Sequence, residues 1–189
     1  NFGFPIGETQ RINFGLSAEH TKITAGFAAA QEISRFIDDN GENALLLKGN
    51  LSWTRSTLNR GVFADRGSSQ SLALEATAPG SDLEFYKITY SGERYFPVTR
   101  TWVLKLRTEL GFGGAYGGTS ALPFYEHFYA GGFGSIRGFE NSTLGPRSTN
   151  PLDGNGNPVF FRNNGDSGEF GQPFGGNLLV EFSAELIFP

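Results

Sequence analysis

The chain of 189 residues carries 27 glycines, 19 phenylalanines, no cysteine and a formal net charge of −4. It has no apolar run of the ~18 residues that a membrane-crossing helix needs. The acidic balance argues against nucleic acid as a main partner, and the absence of cysteine rules out a disulfide or a thiolate metal site.

In chain order, the first predicted element is the end of a strand, residues 1–6, followed by a tight turn at 7–10. The next strand, 11–24, sets Ile12, Phe14, Leu16 and Ala18 against Asn13, Gly15, Ser17 and Glu19. A link over 25–43 contains good helix formers at 28–37, which predict a short helix ended by Asp38, Asp39 and Gly41. Strands over 44–58, 71–78, 84–96 and 101–112 are separated by turn-forming stretches at 59–67, 79–82 and 97–100. In 101–112 the alternation is clearest: Trp102, Leu104, Leu106, Leu110 and Phe112 lie on one side, and Lys105, Arg107, Glu109 and Gly111 on the other. After a long connection over 113–177, the last strand, 178–188, sets Leu178, Val180, Phe182 and Leu186 against Glu181, Ser183 and Glu185.

Several of these strands exceed ten residues, against a mode of about 5–6 in soluble sheets, and about 9–11 tilted residues are what a bilayer requires. The polar face carries charges of both signs, which suits a water-filled lumen. Trp53, Phe96, Trp102 and Phe112 fall near strand ends, where an interfacial aromatic girdle sits. The reading is an all-β, antiparallel transmembrane β-barrel, of which about seven strands are present, in the bacterial outer membrane. A soluble β-sandwich binding module is the alternative of similar composition, and partition into detergent separates the two. A seven-stranded open sheet has two bare edges, so the chain is expected to be a piece of something larger. In isolation it is expected to pair through those edges.

The connection over 113–177 is too long for a plain loop. Its first half holds Phe124, Tyr125, Phe128, Tyr129, Phe133, Ile136 and Phe139, which need something to pack on; its second half, 148–171, is rich in Asn, Gly and Asp and reads as mobile. Residues 124–147, FYEHFYAGGFGSIRGFENSTLGPR, resemble the long sixth loop of the BamA family of outer-membrane insertases, whose marker is a tetrapeptide of the form [VI]RG[FY]. Here that tetrapeptide is Ile136–Arg137–Gly138–Phe139. LNRGVFADRG at 58–67, the PGSDLEFYK run at 79–87, and GGNLLVEFSAELIFP at 175–189 also match, in the family's order.

The resemblance implies the middle of a barrel of about sixteen strands, preceded in the family by periplasmic POTRA domains. It implies insertion of nascent outer-membrane proteins into the bilayer with lipoprotein partners, without ATP or any cofactor. It implies that the 113–177 loop folds toward the lumen and that Arg137 contacts acids on the wall. Glu185 matches one of those acids, and the alternation puts Glu185 and Glu181 on the lumen face without help from the family. A planar guanidinium can bind a carboxylate through two parallel hydrogen bonds. An ordinary exposed arginine in a glycine-rich loop is the competing reading. A secretion pore of the same superfamily shares the tetrapeptide.

No enzyme active site is legible. Glu126 and His127 have no nucleophile at a telling spacing and read as structural, as does His20 at a strand end. Residues 153–157 resemble the start of a calcium loop, but Pro158 and Asn164 stand where glycine and glutamate are needed. Gly131, Gly132, Gly134 and Gly138 do not form a phosphate-binding pattern. Lys105, Arg107 and Glu109 read as solvated wall residues rather than a selectivity ring.

Overall fold

The computed structural model describes residues 1–26, 29–153, 155–159 and 171–188. They form a seven-stranded sheet in which every strand pairs with its neighbours in sequence, all antiparallel. The strands are β1 Phe2–Gly7, β2 Gln10–Lys22, β3 Asn43–Ser56, β4 Gly67–Thr77, β5 Phe85–Pro97, β6 Val103–Ala115 and β7 Leu178–Ile187. A helix, α1, spans Gln31–Asn40 between β2 and β3. No helix among the described residues is long and apolar enough to cross a membrane, which says nothing of strands.

The cross-strand register turns the alternation into a continuous apolar band. Phe14 faces Leu51, Leu51 faces Leu74, and Leu74 faces Ile88. Ile88 then faces Phe112, and Phe112 faces Leu178. A one-residue slip would carry every one of these side chains to the other face. All six are 40–63% exposed. An aqueous surface does not tolerate such a contiguous patch, and a bilayer requires one.

Two strand boundaries depart most from the sequence reading. β4 starts at Gly67 rather than at 71, because Ser68, Ser69 and Gln70 pair with Arg94, Glu93 and Gly92 although neither face there is apolar. β6 runs on to Ala115, its last residues pairing with the start of β5. α1 begins at Gln31 and includes Asp38 and Asp39, which the sequence reading makes terminators; Gly41, with φ +86°, ends it. Ala28 lies outside the described residues.

Trp102 packs on Phe188 at 5.8 Å at the end of the short turns, and Phe112 lies 6.0 Å from Tyr86 at the opposite end.

The core sits where the sequence reading places a polar wall. Leu46 and Phe85 occupy the polar-face register of β3 and β5, yet both are fully buried, together with Leu83, under Phe36 and Leu122. Burying each such side chain stabilises by roughly 1.5–3 kcal/mol. α1 contributes Phe36, set edge-on to Phe124 at 5.9 Å. The helix and the start of the long connection thus close the loop end of the polar face.

Candidate functional site

Residues 122–137 of the connection between β6 and β7 lie against the polar face of the sheet and are held at a base and at a tip. At the base, a single helical turn, Phe124–Glu126, projects the Glu126 carboxylate between β3 and β5. Lys48 of β3 donates to it at 3.0 Å and Lys87 of β5 at 2.9 Å. Lys48 also pairs with Glu19 at 3.0 Å and Glu75 at 3.7 Å. Burial drives the Glu126 carboxyl upward, but the bonds from Lys87 and Lys48 outweigh it and hold the group below the ordinary carboxylate range. Next to this cluster, Phe128 exchanges backbone hydrogen bonds with Gly176 at 2.8 and 2.9 Å. Its ring lies on Gly111 of β6, only 2.6–2.8 Å from where a Cβ would stand.

The tip is a tight excursion closed by the bridge between Ala130 and Leu144. Gly131 and Gly132 have φ of +109° and +100°, and a side chain on either would collide with Glu140 or Asn141. The tip meets β6 and β7 at three points. Arg107 donates to the Gly134 carbonyl. Ser135 Oγ donates to Glu181 Oε2 at 2.6 Å, and Arg137 Nη2 donates to Glu185 Oε1 at 2.7 Å.

Arg137 and Glu185 therefore meet, through one hydrogen bond rather than a bidentate pair. Their side chains are 58% and 33% exposed in this chain, and a pair in that setting contributes ~0–1 kcal/mol. Glu181 is not a partner of Arg137; it is the buried acid of the site, 5% exposed, and accepts from Ser135 instead. Ile136 and Phe139 are exposed at 37% and 53%, and Arg137 stacks on Phe133 at 4.8 Å. Gly138 has φ +92°, a conformation that excludes most side chains there.

Other candidates fall elsewhere. His127 bonds the Phe174 carbonyl through Nδ1 at 2.9 Å and meets that ring edge-on at 5.1 Å, a structural role. His20 is a member of β2 opposite Leu45. Asp153 accepts from the backbone N–H groups of Asn155 and Asn157, which depresses its pKa. Gly154 and Asn164 of the calcium-like stretch, and 160–170 of the second half of the loop, lie outside the described residues.

Lys105 and Arg107 are more than solvated wall residues: Lys105 pairs with Glu93 at 3.5 Å, and Arg107 pairs with Glu109 at 2.6 Å while holding the tip. Sequence reasoning missed the base. Alternation alone sets Lys48, Glu75 and Lys87 on one face, but Glu126 lies 78 and 39 positions from its two lysines.

All of residues 1–189 match the family model described as the Omp85 superfamily domain. The chain is 34% identical over 195 residues to the outer membrane protein assembly factor BamA of Neisseria meningitidis serogroup B, covering 98% of this chain and 22% of the relative. A protein of the same name from Nitratidesulfovibrio vulgaris is 25% identical over 150 residues, covering 77% of this chain and 18% of the relative. The crystal structure of BamA from Haemophilus ducreyi lacking POTRA domains 1–3 superposes with a TM-score of 0.83 at 27% identity, covering 99% of this chain and 36% of that one. The chain thus spans well under half the length of each.

Proposed function

Because the chain belongs to the Omp85 superfamily and forms part of an outer-membrane β-barrel, we propose that it is the middle of the barrel of an insertase that folds other β-barrel proteins into the outer membrane. In this reading the polar face lines the lumen of the closed barrel, and the β6–β7 loop is a lumenal element. Its Ile136–Phe139 tetrapeptide is the functional motif, and Glu185 and Glu181 are the wall partners of the loop, the first through Arg137 and the second through Ser135. Nascent outer-membrane proteins are the substrates and lipoproteins the accessory partners, and no cofactor takes part. The observation that carries the reading is the seating of the loop on the polar face at both base and tip. In the closed barrel such a loop fills part of a wide lumen. The likeness to proteins named assembly factors over nearly the whole chain supports insertion over secretion.

The test uses the full-length parent protein reconstituted in liposomes with its accessory partners. Accelerated folding of an unfolded outer-membrane barrel into those liposomes, lost in Arg137→Ala, is the expected result. No acceleration, together with a wide channel opened by an unfolded secreted substrate in single-channel recording, would overturn it.

A further inference from the structure

We propose that Ser135 and Glu181 form the buried latch that sets the register of the loop tip on the barrel wall, and that Arg137 orients a tip already held by them. This deepens the insertase reading and rests on it for its functional meaning. The burial of the contacts points this way. Ser135 is half buried and Glu181 is 5% exposed, whereas all four residues of the neighbouring tetrapeptide are exposed.

The Ser135 hydroxyl is fixed from behind. It accepts the Gly131 N–H at 3.0 Å, while the Ser135 N–H donates to the Gly132 carbonyl at 3.1 Å. Its one proton is therefore aimed at the wall, and it reaches the Glu181 carboxylate at 2.6 Å, the length of a charge-assisted O–H···O⁻ bond.

Glu181 needs the partner as much as the loop does. Across the ladder it stands directly opposite Glu109, an arrangement of like charges that is destabilising unless neutralised. Arg107 binds Glu109 rather than Glu181, and Glu181 Oε1 has no hydrogen-bond partner among the described residues. Removing the serine hydroxyl would leave a buried carboxylate with neither oxygen bonded. The same Arg107 holds the Gly134 carbonyl, so adjacent tip residues engage adjacent strands and a shift of the tip breaks both contacts together.

The experiment is hydrogen exchange across 130–144 in the full-length parent protein. Ser135→Ala and Glu181→Leu are each expected to raise exchange there about tenfold, with the double variant no worse than the larger single effect. Glu181→Gln, which keeps an oxygen acceptor for the hydroxyl, is expected to restore most of the protection. Arg137→Ala is expected to raise it less than about threefold, in keeping with an exposed pair. Exchange unchanged in Ser135→Ala, or raised as much by Arg137→Ala as by Glu181→Leu, would overturn the latch. Should Glu181→Leu lose the heat-modifiable gel shift of a folded barrel, Ser135→Ala decides, because it lies on the loop. Failure of the wild-type protein to insert substrate would instead count against the insertase reading and leave the latch standing.

Discussion

Removing the Glu126 carboxylate should loosen the base of the long loop without unfolding the sheet. Glu126 is 15% exposed and its lysines are 12% and 20% exposed, so the cluster is largely shielded. In Glu126→Ala, Lys48 keeps Glu19 and Glu75, but Lys87 keeps no carboxylate within ion-pair distance among the described residues. The cost is therefore mainly that of stranding one ammonium group. Breaking a buried pair costs about 3–5 kcal/mol, and a hydrogen bond to a charged group is worth about 1.5–3 kcal/mol. Water on the polar face favours the lower range, and about 2–3 kcal/mol is the working figure, or roughly 30- to 150-fold in a local opening equilibrium. The reporters are the amides of Phe128 and Gly176, which bond each other's carbonyls beside the cluster. Their hydrogen exchange in the full-length protein should accelerate by that factor in Glu126→Ala and by less in Glu126→Gln, which keeps an acceptor. Rates within about twofold of wild type would show that the loop base is held by apolar packing alone, and would refute the electrostatic argument.

The same group gives a pH signature. Because its folded-state pKa is depressed, its contribution is fully present above the unfolded value of about 4.3 and is lost as pH falls through the folded value. Exchange of Phe128, corrected for intrinsic rates, should therefore rise toward pH 3 in the wild type and be flat in Glu126→Ala. Gly111→Val should push the Phe128 ring off the wall and destabilise the loop by about 1–3 kcal/mol, read by exchange at Phe128 and Gly176. In folding titrations into lipid, Leu74→Arg on the apolar face should cost about 2–4 kcal/mol, whereas Ser71→Arg on the polar face should cost much less. Equal costs would mean that the faces are assigned wrongly. Glu32→Ala should free α1 from the loop. Burial raises the Glu32 pKa, but bonds from the Thr149 hydroxyl and N–H outweigh it and hold it low. Faster exchange along α1 by roughly tenfold is expected, about the worth of one charge-assisted bond.

The strands and their faces were readable because each residue there sees one of two environments, and a period of two reports which. The register that joins Phe14 to Leu178 across the sheet follows once the turns are placed. The helix was readable in kind but not in position. Its start lacks a side-chain cap, and its first turn is fastened by Glu32 to Thr149, 117 positions away. Local propensity carries no trace of such a tie. Leu46 and Phe85 misled for a related reason. Both lie in polar-face register, and only the packing of α1 and the long connection makes that end of the face dry.

Glycines within strands offered a signal that the alternation did not use. Glycine in a strand interior weakens it, through backbone entropy and the missing side chain, so its presence implies close approach of something else. Gly111 and Gly113 stand two apart on the polar face of β6, and both are buried. Phe128 lies over the first and Leu122 over the second, at 2.8 Å or less from a would-be Cβ. Two bare positions in succession on a charged face therefore mark where the apolar part of the long connection sits. The same reasoning explains how Phe128 reaches β6 with no apolar side chain opposite it, while Leu122 closes over Gly113 beside the buried wall residues Leu46 and Phe85. The backbone of β6, stripped of side chains at those points, is the surface on which they pack, and enlarging either glycine displaces the loop rather than the strand.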